Sequence, residues 1–405
     1  MFGIYRGISP EAKILIYQSI LPAIAYGMFF TDISYFLTTI QGLSYQFMGI
    51  VVTVMGVSTF ATCIPLGILA DRHGRKKMLI VGNVLASVII ASFALTTNPA
   101  LLIVAAVFEG ISEAAFAASS GALLAEKAEG SQRNSAFSLF SFAQGIAYGV
   151  GSLAIPGIVV FEFLGYSSKT SHALLFVTVA VFCLFSTILL LKVKEAPKLA
   201  KTAADESELK VVSKESQKVL AKYVLASAVI AFGAGMVVPL MTAWFNLQYG
   251  VPDTVSGPLL GLTSVVVGVS SLASPYLAKK IGLVKAIVVL QATSTIFMFA
   301  TPLSGSFILA STVYTTRAFL MNMASPLSWS LIMGSVAKNQ RGAASGISAA
   351  LWRLPNALST FVGAFLMAAG FLALPFFLAS LLYFLSSLLF WRFFRNTKMV
   401  EEKAV

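Results

Sequence analysis

Long apolar stretches separated by short polar turns run through almost the whole chain. A helix needs about 20 apolar residues to cross the hydrocarbon core of a bilayer, with about 17–25 the usual range. Twelve stretches fall within this range or exceed it, which predicts an all-α membrane protein with twelve transmembrane helices. Their approximate bounds are 14–40, 46–70, 78–97, 99–124, 134–162, 172–191, 221–247, 256–278, 284–302, 306–336, 342–369 and 373–391.

Composition supports this prediction. The chain of 405 residues is 58% hydrophobic and 11% charged, whereas soluble domains carry about 25% charged residues.

Cys63 and Cys183 lie inside apolar stretches without metal-ligand spacing and are interpreted as small packed residues. We expect no metal site, no cofactor and no nucleic-acid partner. The absence of a nucleotide loop or of a nucleophile with a neighbouring base argues against an enzyme.

The positive charges predict how the helices are oriented. Of the 28 lysines and arginines, 25 lie in the two tails, in the loops after even-numbered helices or at the adjoining helix ends, and the opposite loops hold only Lys169. Cytoplasmic loops are enriched in Lys and Arg. Both termini are therefore expected in the cytoplasm, in a multi-pass protein of the plasma membrane. We expect a monomer.

The loop between the second and third predicted helices carries a specific motif. Residues 67–77 read GILADRHGRKK. This motif resembles the signature loop of the major facilitator superfamily, which it matches at Gly67, Leu69, Ala70, Asp71, Arg72, Gly74, Arg75 and Lys76. The resemblance implies a secondary transporter with twelve helices that works by alternating access.

An internal repeat supports two six-helix halves. An offset of about 208 residues carries Gly74 to Gly282 and Arg133 to Arg341. Paired halves are a known transporter design, with the substrate site between them. We therefore predict two pseudo-symmetric bundles, each of six helices, joined by a polar linker. The predicted domains are 1–191, a cytoplasmic linker at 192–220, 221–395 and a cytoplasmic tail at 396–405.

Five ionisable residues lie well inside predicted helices, where charge is costly and usually functional. They are Asp32, Glu109, Glu113, Arg317 and Arg353. In the family, helices 1, 4, 7 and 10 line the central cavity, and the first four residues of this set map to helices 1, 4 and 10. They are the candidates for proton coupling or substrate binding, with a proton co-transported or exchanged.

Glu109 and Glu113 are four residues apart and so share one helix face. Two carboxylates close together in a low dielectric repel each other, which favours a proton on one of them. The alternatives are a permanent ion pair with Arg317 or Arg353, or a hydrogen bond between helices. Arg317 has three interpretations: it binds an anionic substrate, it is the counter-ion of the glutamates, or it packs inertly. Arg353 is interpreted as a structural charge.

The resemblance also implies a gate. Asp71 is expected against the N-terminus of helix 11, where a carboxylate complements the helix dipole. Arg75 or Arg72 is expected to pair with Glu126, at the end of helix 4, and Gly67 is assigned to the same gate. The alternative is a solvated loop that only sets topology.

We expect the solute to be a small molecule. The polar or aromatic residues that are candidates for contacting it are Tyr26, Gln144, Tyr148, Trp244 and Asn246. The predicted function is a secondary active transporter, coupled to protons, for a small polar or ionic solute. The alternatives are a multidrug efflux antiporter and, from another class, a lipid flippase or a transporter-like sensor.

Overall fold

The computed structural model describes residues 8–128, 132–193, 214–335 and 341–396, and every regular element in these ranges is helical. The helices are α1 (Pro10–Tyr35), α2 (Tyr45–His73), α3 (Arg75–Leu95), α4 (Pro99–Lys127), α5 (Gln132–Leu153), α6 (Gly157–Phe163), α7 (Ser168–Leu191), α8 (Lys214–Gly235), α9 (Met241–Tyr249), α10 (Asp253–Ile281), α11 (Leu283–Ala300), α12 (Phe307–Ser335), α13 (Arg341–Ala368) and α14 (Leu374–Phe394). A π-helical turn, Phe36–Ile40, extends α1.

These helices fall at the twelve predicted positions, which confirms the predicted all-α fold class. Among the described residues, ten segments are long and apolar enough to cross a bilayer. The tenth and eleventh predicted positions hold α12, with 29 residues, and α13, with 28 residues. At about 1.5 Å per residue, both are longer than the hydrocarbon core is thick. Most of the predicted linker lies outside the described residues, apart from its start and the first turns of α8.

Two predicted single helices are each broken. The fifth is divided into α5 and α6 by a turn that ends at Pro156. The seventh is divided into α8 and α9 by a 3₁₀ turn, Val238–Leu240, that contains Pro239. Proline lacks a backbone donor and its ring clashes with the preceding helical turn, so each break occurs where a continuous helix would lose a hydrogen bond.

The described residues form two compact units. The first contains α1 to α7 together with Val238–Gly268 and Thr360–Leu372, and the second contains α8, Val269–Ser359 and the segment from Ala373 onward. In the first unit α2 packs on α4, and α1 packs on α5 and α7. In the second, α11 packs on α12 and α14. The predicted division into six and six helices by sequence order remains a prediction.

Two glycines show the internal repeat in the backbone itself. Gly74 ends α2 with φ of 114°, and Gly282 ends α10 with φ of 88°. Each donates its N–H to the carbonyl four residues earlier, Ala70 in the first case and Ala278 in the second, at 2.9 Å in both. A positive φ is costly for a residue with a Cβ. The offset of 208 thus pairs two turns of the same backbone type.

A close helix crossing fixes α1 against α5. A Cβ added at Gly27 would lie 2.0 Å from the carbonyl oxygen of Tyr148. Ser152, one turn further along α5, donates to the Gly27 carbonyl at 3.0 Å. Small residues let membrane helices approach until their backbones touch, where van der Waals packing replaces the missing hydrophobic force.

We predict that Gly27→Ala lowers the thermal stability of the detergent-solubilised protein, because the added methyl group overpacks the crossing at a cost of about 1–3 kcal/mol. The control is Gly145→Ala on α5, since a Cβ at Gly145 meets no atom within 4 Å. Equal melting temperatures for the two variants would contradict the crossing.

The predicted orientation can be tested with cysteines in a background free of Cys63 and Cys183. His73→Cys suits the loop better than a change at Gly74, where the positive φ disfavours a side chain. We expect His73→Cys to resist an impermeant maleimide in right-side-out vesicles, and Lys169→Cys to react. Labelling at His73→Cys with protection at Lys169→Cys would reverse the orientation.

Candidate functional site

The two glutamates of α4 lie beside α2 in the first unit. Glu109 is 1% exposed. The Oε2 atom of Glu113 lies 3.0 Å from Thr59 Oγ1. The same Thr59 hydroxyl lies 3.0 Å from the Met55 carbonyl oxygen. The helices approach closely at Gly110, where a Cβ would lie 2.3 Å from that carbonyl oxygen. The position of Thr59 relative to Glu113 is therefore set by backbone packing.

Thr59 can stabilise either protonation state of Glu113. A hydroxyl has one donor proton and two acceptor lone pairs, whereas a backbone carbonyl only accepts. When Glu113 is ionised, Thr59 can donate to its carboxylate. When Glu113 is protonated, its O–H can donate to Thr59, and Thr59 then donates to the Met55 carbonyl. The arrangement allows the carboxyl group to gain or lose a proton without leaving a hydrogen bond unmade.

The hydroxyl of Tyr26, on α1, connects that helix to the same part of α4. It donates to Ser112 Oγ at 3.2 Å, because the Ser112 hydroxyl itself donates to the Gly82 carbonyl at 2.9 Å. The Tyr26 ring stacks on Phe30 with centroids 5.6 Å apart. Tyr26 thus contacts α4 through Ser112, which directly precedes Glu113 in the sequence.

Arg317 lies on α12 in the second unit and is 4% exposed. Its Nη1 donates to the Tyr383 hydroxyl at 3.1 Å. The guanidinium carbon lies 4.9 Å from the centre of the Tyr314 ring and 6.0 Å from that of Tyr383. A cation over aromatic faces is stabilised without a counter-ion. Among the ion pairs formed by the described residues, none includes Arg317.

Asp32 belongs to a different cluster, with His172 on α7 and Asp253 at the start of α10. The imidazole Nε2 lies 2.9 Å from Asp253 Oδ2, and its Nδ1 lies 2.7 Å from the Ser168 carbonyl oxygen. One ligand atom from each of the three residues lies within 4.8 Å of the others. All three residues are buried, Asp32 completely so.

Sequence reasoning missed His172, Asp253 and Thr59. His172 and Asp253 are 81 residues apart and carry no local motif. The one signal available was that each stands within a few residues of a helix start on the same predicted side of the membrane. Thr59 was missed because a hydroxyl in an apolar helix usually bonds its own backbone, as Thr62 does to the Ser58 carbonyl.

The other predicted residues have mixed surroundings. Trp244 is fully buried and its indole N–H donates to the Leu372 carbonyl at 2.9 Å, so it anchors the chain segment around α9. Asn246 accepts from Thr39 Oγ1 at 3.3 Å. Gln144 and Tyr148 on α5 and Arg353 on α13 are partly exposed. Their roles as solute contacts, or as a structural charge in the case of Arg353, remain predictions.

Comparison with known proteins decides the family. A sequence model of the Major Facilitator Superfamily matches residues 18–360. The chain belongs to this superfamily. It is therefore a membrane transporter rather than an enzyme, built to carry small molecules across a lipid bilayer.

Three relatives illustrate how far the likeness extends. The uncharacterized MFS-type transporter YqjV of Bacillus subtilis (strain 168) is 26% identical over 199 residues, which cover 49% of this chain and 47% of YqjV. Multidrug resistance protein 2 of the same strain is 23% identical over 331 residues, 81% of each chain. A crystal structure of a bacterial homolog to the human lysosomal transporter Spinster, inward-facing and occupied, aligns with a TM-score of 0.78 and 14% identity over 95% of this chain and 96% of that one.

Within this superfamily transporter, three of the predicted gate residues, Asp71, Arg75 and Glu126, meet at the end of the first unit that carries the 67–77 loop. Arg75 donates to Asp71 Oδ1 through Nε at 2.9 Å and through Nη2 at 2.8 Å. Its Nη1 lies 3.6 Å from Glu126 Oε2, and Lys127 bridges Glu126 and Glu11 at 3.2 Å each. Arg75 thus connects α3 to the ends of α2 and α4.

The predicted contact of Asp71 with helix 11 is not among the described contacts, whereas Gly67 lies near α4. Asp71 pairs with Arg75, and its predicted contact at the start of helix 11 falls on side chains outside the described residues. Gly67 lies near α4, because a Cβ there would be 3.9 Å from the Ala118 methyl group. The gating role of Gly67, Asp71, Arg72, Arg75 and Glu126 is a proposal.

We predict that Asp71→Asn slows transport while solute binding survives, because the change removes the charge that orients Arg75. Exposed ion pairs contribute only about 0.2–1 kcal/mol each, so a shift in the balance of states is expected rather than unfolding. Lys77→Gln is the control, as Lys77 is exposed in the same loop. Equal transport rates for Asp71→Asn and the wild type would reduce the loop to a topology signal.

Proposed function

We propose that this protein is a proton-coupled secondary active transporter that moves a small polar or ionic solute across the plasma membrane by alternating access. The observation that carries the proposal is the contact between Glu113 and Thr59 at 3.0 Å. An acid inside a membrane segment is costly to place and is a functional candidate by default. Glu113 has a neighbour that serves both its ionised and its protonated form.

Glu109 contributes to the proposal through its position. It lies one helical turn before Glu113 on the same face of α4, and it is buried. Charge on one of the two carboxyl groups disfavours charge on the other, by roughly the Coulomb term for groups a helical turn apart in a low dielectric. A proton taken up by Glu113 therefore favours ionisation of Glu109, and loss of that proton opposes it by the same free energy.

Arg317 fits the same proposal as a fixed positive charge in the second unit. Its guanidinium keeps its charge in every state, because an arginine is not deprotonated in a protein. Tyr383 and Tyr314 hold the side chain in place. An anionic or polar solute is the kind of ligand that such a group attracts, and a lipophilic cation is the kind it repels.

A multidrug efflux antiporter is the second candidate function. It is favoured by the 23% identity to Multidrug resistance protein 2 over 81% of each chain. Thermal-shift screening of the purified protein separates the two candidates, since a bound solute raises the melting temperature through linkage. Stabilisation by structurally diverse lipophilic cations alone would favour the antiporter.

The coupling prediction is that Glu113→Gln abolishes solute accumulation driven by a pH gradient in proteoliposomes. Exchange of solute without a gradient should persist, because exchange moves no net proton. Glu109→Gln should reduce accumulation and leave exchange active. Glu162→Gln, at an exposed acid on α6, is the matched control and should retain both activities.

A second pair of variants tests the role of the hydroxyl. Thr59→Val should change the pH profile of transport, and Thr62→Val should not, since the Thr62 hydroxyl donates to the Ser58 carbonyl in its own helix. Persistence of pH-driven accumulation in Glu109→Gln, in Glu113→Gln and in the double variant would show that these carboxyl groups are structural.

A further inference from the structure

Among the described residues, one group of three side chains has the composition and spacing of a metal site. Asp32, His172 and Asp253 come from three different helices, α1, α7 and α10. Their side chains have no role in the proposed proton transfer at Glu113, which lies on α4. The cluster also lies within one compact unit, so its geometry does not depend on how the two units are placed.

The histidine is oriented as a metal ligand would be. The Ser168 carbonyl oxygen, 2.7 Å from Nδ1, can only accept a hydrogen bond, so Nδ1 carries the hydrogen. This leaves Nε2 as the nitrogen that faces the two carboxyl groups. The ring also lies against Phe36, with centroids 5.7 Å apart, and against Tyr35 at 6.5 Å. Metal-bound histidines commonly donate their other N–H to a backbone carbonyl in this way.

Asp32 supplies the independent observation. It is 0% exposed, and no N–H or O–H donor of a described residue reaches either of its carboxylate oxygens, whose neighbour is the carboxyl group of Asp253. A buried carboxyl group without hydrogen bonds is strongly destabilising unless a compensating partner is present. A single proton can join only two of the three groups at a time, either His172 with Asp253 or Asp32 with Asp253. A divalent cation between the three groups would satisfy the Asp32 oxygen, the Asp253 oxygen and Nε2 at once.

The distances permit such an ion. Metal bonds to nitrogen and carboxylate oxygen of about 2.0–2.2 Å place neighbouring ligand atoms roughly 3.0–3.5 Å apart. The His172 Nε2 to Asp253 Oδ2 distance is 2.9 Å, and the widest separation in the group is within 4.8 Å. A set of one imidazole and two carboxylates suits first-row transition metals, since calcium and magnesium favour oxygen ligands alone.

We propose that Asp32, His172 and Asp253 bind a divalent first-row transition-metal ion of the Zn²⁺ class. The ion would join α1 and α7 to the start of α10, at the end of the first unit opposite the 67–77 loop. The inference is independent of the proposed proton coupling, because it uses none of the residues of α4.

The chain provides a matched control for the test, since it has two histidines. The protein is purified, dialysed against a chelator, and titrated with Zn²⁺ by calorimetry and with Co²⁺ by visible absorption. We expect one ion per chain, with ligand-field bands for Co²⁺ and a higher melting temperature with Zn²⁺. His73→Gln, at an exposed histidine, should bind like the wild type.

We expect metal affinity to fall at least about 100-fold in each of three variants, Asp32→Asn, His172→Gln and Asp253→Asn. Loss of even an outer-shell partner of a metal ligand lowers metal affinity about 10–100-fold. Should these variants fail to fold, ¹⁵N-histidine spectra of the wild type and of His73→Gln still decide. Zn²⁺ should shift the His172 nitrogens and leave those of His73 in place. No bound ion in the wild type, binding retained in His172→Gln, or an unmoved His172 signal would overturn the proposal.

Discussion

The free-energy cost of placing charge inside a membrane-length helix governs where this chain carries its ionisable residues. Within hydrocarbon no water compensates an ionised side chain, and the cost is several kcal/mol or more for each group. It confines 25 of the 28 lysines and arginines to the tails, to loops on one predicted side and to the helix ends beside them. It also means that each charged or acidic group retained inside the helices needs a specific local solution.

The structure shows three different solutions. Glu113 has a hydroxyl neighbour, Thr59, that can donate to it or accept from it. Arg317 lies over two tyrosine rings and donates to one of their hydroxyls. Asp32 is placed with His172 and Asp253, where a proton or a metal ion can be shared. The first solution suits a group that changes charge, and the second suits one that does not. The two therefore support different roles in transport.

The fold could be predicted because its signals are local. Apolar length predicts each helix, and the positive φ at Gly74 and at Gly282 explains why both glycines occur at the turn that the repeat aligns. The breaks near Pro156 and Pro239 were not predicted, since a proline in a membrane helix can also be tolerated with only a kink.

The candidate site was predictable only in part. The acids of α4 stood out because charge in an apolar stretch is rare. The partner of Glu113 is an ordinary residue in the sequence, since Thr59 is one threonine among many. The partners of Asp32, which are His172 and Asp253, come together only where the start of α10 lies beside α7. Such contacts depend on how the helices are placed against each other, and a single sequence does not contain that information. Close helix contacts at glycines, such as the contact of Gly27 with α5, fix the distance between neighbouring helices.

Coupling of solute movement to proton movement is the property that defines the proposed transporter. The most direct test loads proteoliposomes with a pH-sensitive dye, imposes a stable pH gradient and then adds a solute that the thermal-shift screen has identified. We expect the internal pH to change when the solute is added, at a rate that scales with the amount of protein. A gradient that stays unchanged while labelled solute crosses the membrane would contradict it.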